Sequence, residues 1–579
     1  MQLDVISMAP LAVVLPILGA ALAFTLVRRP RGQILVTVLT IVVTLLLEVA
    51  LLIATWNEGA NAVFLGGWEA PWGIVMVVDR FSALMLVVAT TVVLAVLLYA
   101  SAQGIGDDDT PRPVSIFHPT YLILTAGVSN AFLAGDLFNL YVGFEILLTA
   151  SYVLLTMGGT GPRIRAGVTY VVVSVISSVI FLIAIAMIYG ATGTVNLADL
   201  AVKLAELDPD LQQVLHIMLL VGFGIKAAVF PLSFWLPDSC PTAPAPVTAV
   251  FAGLLTKVGV YAIVRTETLL FPGNRLNDLL LVVAGLTMVI GILGALVQSD
   301  IKRVLSFTLV SHIGYMIFGL ALANVVGLGA TVFYVVHHIT IQTSLFLVTG
   351  LIEYRAGTAN IDRLGSMLKI SPLIGVLYII PALNLGGIPP FSGFIGKIGL
   401  LQAGVGEGSP LAFALVIASV VTSLLTLLVM VRIWARVFWR RAEDVEDATL
   451  RVSEEAEAAE NNQPPIRKNL AGLVAPTIGL VAVGVGLTVV AGPLYSFADQ
   501  AAEDMLARTP YIESVLGDEA AAQAAEDLQE LNGYGIELAS ESSNGAGEDD
   551  NDPEEATDVA TGASDATSET LSRKEARDD

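Results

Sequence analysis

The stretch Leu220–Asp238, LVGFGIKAAVFPLSFWLPD, sets one lysine, Lys226, in the middle of a helix-length apolar run and a proline, Pro231, five residues further on. Proline removes an intrahelical hydrogen bond and its ring collides with the preceding turn, so a helix through this stretch is expected to break. A charge at bilayer depth costs about 2.5–3.5 kcal/mol on insertion scales and usually faces the bundle interior or a water-filled cavity. The stretch therefore reads as a broken helix inside a membrane bundle.

The rest of the chain agrees. Of 579 residues, 55% are hydrophobic and only 14% charged, and long apolar segments recur from Pro10 to Val490. About 20 residues at 1.5 Å rise cross a hydrocarbon core of ~30 Å. The expected fold is all-α and polytopic, with about fourteen transmembrane helices, roughly 8–27, 33–55, 81–101, 117–134, 136–157, 167–190, 212–235, 246–269, 277–298, 304–323, 327–353, 371–404, 409–436 and 469–497. The N-terminal MQLDVISMAP lacks the basic flank and cleavage pattern of a signal peptide, so the first helix is expected to stay. A single cysteine, Cys240, excludes an intrachain disulfide.

The formal net charge is −23, and residues 498–579 hold most of it, with 23 acidic residues against 4 basic ones. This segment is expected to be a disordered, solvating tail. Basic residues gather after odd-numbered helices: Arg28, Arg29 and Arg31; Arg163 and Arg165; Lys302 and Arg303; Arg355, Arg363 and Lys369; Arg436, Arg440 and Arg441. Loops after even-numbered helices hold Arg80, Lys203, Arg265 and Arg275. The positive-inside rule then places both termini outside a cell membrane.

Four ionisable residues lie too deep in their helices to reach the interface easily: Glu145, Lys226, Lys257 and Lys397. One carboxylate can pair with one lysine but cannot neutralise three, and a lysine poised between desolvation and a nearby carboxylate changes protonation when its partner moves. The set points to proton handling, with Glu145 as the partner of Lys226. Pro389 and Pro390, beside Gly386 and Gly387, predict a second break before Lys397. Broken helices in matching positions of two halves point to an inverted-repeat transporter. His312, His337 and His338 fall between Lys257 and Lys397 in chain order and are candidate relays, although the adjacent pair cannot share one helix face. The HH pair also lacks the i, i+4 spacing of a two-histidine metal site, and no metal is expected. Asp136, Asn139 and Thr149 offer hard oxygen ligands, but such groups more often support packing or hydration.

GGWEAPWGIVMVVDRFSALMLVV, GDLFNLYVGFEILLTASY, GIKAAVFPLSFWLPD, LLTKVGVYAIVR, SDIKRVLSFTLVSHIGYM and GIPPFSGFIGKIGLL together resemble the proton-translocating antiporter-type subunits shared by Mrp multisubunit Na+/H+ antiporters and the membrane arm of respiratory complex I. GGWEAPWGI, DLFNLYVGFE and the later YIESVLGD are most similar to the D-type branch of the Mrp antiporter subunits. The resemblance implies a fourteen-helix fold with two inverted five-helix repeats and broken helices 7 and 12. It also implies Glu145 and Lys226 as a coupled pair, Lys257 as the bridging lysine and Lys397 as the distal one. Gln342 stands in HHITIQTSLFL where relatives often carry a lysine, and Ser233 stands near a position where complex I relatives commonly have histidine.

On this reading residues 1–110 hold helices 1–3, 111–270 the first repeat, 271–441 the second, 442–497 a loop and helix 14, and 498–579 the tail. The expected function is proton translocation through a Glu/Lys/His relay in a multisubunit Na+/H+ antiporter, in company with other Mrp subunits and lipid. The alternative is a pumping subunit of an NADH–quinone oxidoreductase or a related membrane hydrogenase. The chain has no G-x-G-x-x-G on a βαβ unit and too few cysteines to ligate a cluster, so no cofactor is expected in it. No enzyme activity and no nucleic-acid partner are expected of it either.

Overall fold

The computed structural model describes residues 5–103, 114–272, 276–445, 452–454, 457 and 470–532. Helix dominates because lipid leaves backbone groups to be satisfied only internally. In chain order the first half contains α1 (Leu11–Thr25), α2 (Pro30–Glu58), α3 (Arg80–Gln103), α4 (Val114–Leu133), α5 (Leu137–Thr156), α6 (Gly161–Thr192), α7 (Leu197–Lys203), α8 (Pro209–Ala227) and α9 (Trp235–Ser239). Next, α10 (Ala245–Val250) and α11 (Thr256–Arg265) belong to one span, Ala245–Leu270, that passes through π-helical turns at Phe251–Leu255 and Thr266–Leu270.

The second half contains α12 (Asn277–Val297), α13 (Ile301–Ala321), α14 (Val325–Ala356), α15 (Met367–Ile370), α16 (Pro372–Gly386), α17 (Ser392–Glu407) and α18 (Pro410–Ile433). It is followed by α19 (Ala471–Val489), α20 (Ala491–Ala507), α21 (Thr509–Leu516) and α22 (Asp518–Asn532). A small antiparallel hairpin, β1 (Asn61–Phe64) with β2 (Val75–Val78), joins α2 to α3, a departure from the purely helical expectation.

Among the described residues, twelve helices are long and apolar enough to cross a membrane. The two expected spans missing from these twelve, 212–235 and 371–404, are the two that break. The spans Ala245–Leu270, Ile301–Ala321 and Val325–Ala356 are wholly or almost wholly buried, whereas α2, α6 and α18 present Leu35, Val172 and Leu424 outward. The helices that bear Lys257, His312, His337 and His338 are therefore interior ones.

The breaks share a design. α8 ends at Ala228 in the left-handed region (φ 58), and α9 begins only at Trp235. α16 ends at Gly387, also left-handed (φ 78), and α17 begins at Ser392. A second pair of matching features lies 164 residues apart in sequence. Asp136 caps α5 and bridges to Asn196, which caps α7, through Leu137 N to Val195 O and Leu197 N to Gly135 O. Asp300 caps α13 and bridges to Asn360 through Ile301 N to Ala359 O and Ile361 N to Ser299 O.

Two expectations are corrected. The helix expected at 469–497 stops at Val489, because Pro493 has no N–H to donate back across the junction and the chain restarts as α20. Residues 498–532, expected within a disordered tail, are helical. Averaging charge over 498–579 hid the apolar spacing of Ala498, Ala501, Ala502 and Met505, all buried. Arg508, buried, donates to Leu269 O (3.0 Å) and Ala201 O (2.5 Å), Tyr511 lies against Arg265 (5.0 Å), and Asp504 pairs with Arg80. This C-terminal arm meets the β hairpin, α7 and the end of the 245–270 span, which are connections after even-numbered helices. The expected tail beyond 532, Arg275 and most of the 442–469 loop lie outside the described residues.

Candidate functional site

Lys226 occupies the last turn of α8, where unpaired carbonyls leave partial negative charge that favours a cation. Its buried ammonium donates to Ser178 Oγ of α6 (3.1 Å) and stands 4.8 Å from the Phe144 ring centre on α5. Gly259 lets α11 pack directly on this turn, since a Cβ there would sit 2.6 Å from Ala227 N. Glu145, next in sequence to Phe144, is half-buried, and its Oε1 has no hydrogen-bond partner. The expected Glu145–Lys226 pair is not in contact: no ion pair within 4.0 Å joins them, although the carboxylate acts on the lysine through space. Phe144, Tyr170, Ser174, Lys226, Trp235 and Leu255 line a cavity roomy enough for a water molecule.

Lys257 is fully buried in α11, and its ammonium donates to Ala252 O (2.8 Å) within the π-turn that precedes it. π-turns widen a helix locally and expose carbonyls that a side chain can use. Three buried histidines stand between this lysine and Lys397. The His338 ring lies 5.1 Å from that of His312, and His312 Nδ1 meets Tyr334 Oη at 2.6 Å. His337 Nδ1 meets Ser392 Oγ at 3.0 Å, and Ser392 donates on to Asn384 Oδ1 (3.3 Å). His337 and His338 thus point to different neighbours, as adjacent helical residues must. Both lysine charges act on His312 and His338, and that of Lys397 acts on His337.

Lys397, in α17, reaches back across the second break. Its ammonium donates to Leu385 O (3.0 Å), in the last turn of α16, and to Ser423 Oγ of α18 (2.9 Å), and lies 5.2 Å from the Tyr315 ring centre. The sites of Glu145 and Lys226 on one side, and of Lys257, the histidines and Lys397 on the other, put titratable groups along interior helices in both halves. Gln342, one turn beyond His338, donates to Leu305 O (2.7 Å), and its Oε1 is unpartnered.

The oxygen-ligand candidates do not converge. Asp136 is occupied in capping Asn139 N (2.6 Å), the Asn139 side chain accepts from Asn130, and Thr149 is exposed. Among the described residues no cluster of His, Cys, Asp or Glu is placed to hold a metal ion. Sequence reasoning missed the hydroxyls of Ser178, Tyr334, Ser392 and Ser423, which nothing in an apolar run distinguishes. It also missed the buried pairs Asp79–Arg265 (2.7 Å) and His216–Glu267 (2.5 Å), and the pair that buried Lys302 makes with the partly exposed Glu353 (2.6 Å). Glu48 was missed as well, although it sits in an apolar run like the four charges that were found.

Residues 134–426 match the family described as NADH:quinone oxidoreductase/Mrp antiporter, TM. The D-type Na(+)/H(+) antiporter subunit of Alkalihalophilus pseudofirmus is 37% identical over 87% of this chain and 98% of its own length. A chain in the structure of the Mrp complex from Dietzia sp. superposes with a TM-score of 0.80 at 32% identity, covering 89% of this chain and 100% of that one. A chain of the membrane-bound sulfane sulfur reductase, an archaeal respiratory membrane complex, gives 0.77 at 25% identity, covering 88% and 100%. With this identity across nearly the full length of its relative, the chain belongs to the family of D-type Na+/H+ antiporter subunits within the Mrp antiporter and NADH:quinone oxidoreductase membrane proteins.

Proposed function

We propose that this chain carries protons across the cell membrane as one subunit of a multisubunit Na+/H+ antiporter. Protons move along Glu145, Lys226, Lys257, the histidines and Lys397. The observation that carries the reading is the buried line of histidines flanked by Lys257 and Lys397: His312 bonds Tyr334, His337 bonds Ser392, and His338 lies with its ring 5.1 Å from that of His312 and both its nitrogens without a hydrogen-bond partner. Hydroxyls and imidazoles both donate and accept, so such a line can pass protons, and three lysines with one nearby carboxylate suit charge transfer better than a static ion pair. The gap between Glu145 and Lys226 is a place where contact can be made and broken. Membership of a redox-driven complex is the weaker reading, since the sulfane sulfur reductase chain is less similar than the Mrp relatives.

The 164-residue correspondence of the Asp–Asn bridges, one following α4 and the other α12, supports two inverted repeats, and the two broken helices complete a count of fourteen. The arm's contacts with connections after even-numbered helices support an outside location for it, opposite the arginine-rich loops. A cysteine at Glu519 in a Cys240→Ser background should react with an impermeant maleimide in intact cells, and labelling only after lysis would reverse the orientation. For the function, everted vesicles holding the complete antiporter with Lys257→Met should lose sodium-dependent proton exchange while the complex assembles normally. Wild-type exchange in that variant would remove the proton route.

A further inference from the structure

α2 carries a polar face that the pathway above does not use. Gln33, Thr37, Thr44, Glu48 and Thr55 are all fully buried, and their spacings of four and seven residues put them on one side of the helix. From Gln33 to Thr55 that face climbs about 33 Å, enough to cross the hydrocarbon core. Ile41 and Leu51 are buried on the same side, and the opposite side exposes Leu35, Leu39, Leu46 and Ile53, so α2 divides an apolar outer face from an inner one that carries most of its polar groups. Two ends of the inner face are anchored: Gln33 Nε2 donates to Ala23 O of α1 (2.9 Å), and Thr55 Oγ1 donates to Leu52 O (3.1 Å).

The middle is not anchored. Ser129 of α4 donates to Glu48 Oε1 across a long 3.4 Å, and Thr90 of α3 presents a second hydroxyl to the same carboxyl. Glu48 Oε2 and, one turn earlier, Thr44 Oγ1 have no partner. No cation stands within 4.0 Å of Glu48 among the described residues, and none of the pathway lysines or histidines acts on it. Burying an unpaired carboxylate costs far more than burying a neutral acid, so a glutamate is a poor choice here for packing alone. Its neighbours are hydroxyls, which can take a proton from one side and give one to the other.

We propose that Glu48 is a second proton-exchanging site of this chain, on a track between α2, α3 and α4 that is separate from the Lys–His line. It rests on the proton-translocating reading above, and Lys257→Met keeps the two distinguishable. In everted vesicles holding the complete antiporter, Glu48→Gln keeps size and hydrogen bonding but cannot titrate, and should lower sodium-dependent proton exchange by about tenfold or more. Glu48→Asp keeps a titrating group at a shorter reach and should retain exchange with a displaced pH profile. A wild-type rate and pH profile in Glu48→Gln would overturn the proposal, and if Lys257→Met still abolished exchange, the pathway reading would stand without it. Should Glu48→Gln fail to assemble, Glu48→Asp decides: a displaced pH profile supports the site, and an unchanged one marks Glu48 as structural.

Discussion

The two helix breaks solve one electrostatic problem from opposite directions. Lys226 precedes its break and stays at the carbonyl end of its own helix, α8, whereas Lys397 follows its break and reaches back to the carbonyl end of the preceding helix, α16. Each ammonium also takes one serine hydroxyl from a neighbouring helix, Ser178 or Ser423. In both cases the negative end of a half-helix substitutes for a counter-ion. The surroundings then diverge. A carboxylate, Glu145, acts on Lys226 through space, while no acidic group among the described residues pairs with Lys397. On the proposed proton route the first break can be tuned by a moving partner, whereas the second holds its lysine with fixed dipoles.

The largest effect expected from this comparison comes from removing charge and then removing the ability to release a proton. Lys226→Met and Lys397→Met should each lower vesicle exchange by about tenfold or more. Lys397→Arg keeps the charge but stays protonated near neutral pH, so exchange should fail there too. Robust exchange in Lys397→Arg would make Lys397 an electrostatic anchor and end the symmetry between the two sites. Glu145→Gln should depress exchange to a similar degree, and a normal rate would mean that Lys226 needs no tuning partner.

Backbone chemistry sharpens the contrast at the next level. Gly387 has φ 78, and a Cβ there would lie 2.9 Å from Lys397 Cδ, so Gly387→Ala combines left-handed strain with displacement of the ammonium. The strain alone costs about 1–2 kcal/mol for a residue with a Cβ. Ala228 already bears that strain at φ 58, so Ala228→Gly should relieve it and leave thermal stability unchanged or up to about 1 kcal/mol higher. Thermal unfolding of the purified complex checks both, and equal destabilisation by the two substitutions would show that the breaks are not equivalent in backbone design.

A smaller effect is expected from the serines. Ser178→Ala removes the hydrogen-bond acceptor of Lys226, whereas Lys397 keeps Leu385 O after Ser423→Ala. A hydrogen bond to a charged group contributes about 1.5–3 kcal/mol, so Ser178→Ala should lower exchange more than Ser423→Ala does. The reverse order would indicate that the α16 carbonyl holds Lys397 only weakly.

The smallest effect concerns the arm that packs near the second break, where Tyr495 of α20 lies against Gly399 of α17 and Asp499 against Gly329 of α14. Burial, with the charge of Glu503 second, pushes the Asp499 carboxyl up from 3.8 to about 6. The docked arm then binds this proton more tightly than the undocked one. Its contribution to docking is fully present below 3.8 and is lost as pH rises through about 6. After correction for the base-catalysed intrinsic rate, the α20 amides should therefore be less protected from hydrogen exchange at about pH 7 than at about pH 5, with the difference reduced in Asp499→Asn. The region of the first break should show no such change.

The sequence by itself determined the class of molecule. Apolar runs of bilayer length, prolines inside two of them, and Glu145, Lys226, Lys257 and Lys397 at depth follow from composition and spacing, because the cost of burying charge and the loss of a proline hydrogen bond are local properties. All fourteen expected helices correspond in place to helices or broken helices of the fold, the last of them ending early at Val489. Partnership was decided by tertiary structure. That Lys397 reaches back to Leu385, that Glu145 stands apart from Lys226, and that His337 and His338 serve different neighbours depend on how distant helices pack, which chain order does not encode locally. The 164-residue recurrence of an aspartate bridged to an asparagine was present in GDLFNL with TVNLAD and in SDIKRV with TANIDR, but only the matching backbone hydrogen bonds give those letters meaning. The arm shows the same limit, since a net charge summed over 498–579 describes solvation on average, while docking depends on whether Arg508 finds two carbonyls, from Ala201 and Leu269, held in place by the rest of the chain.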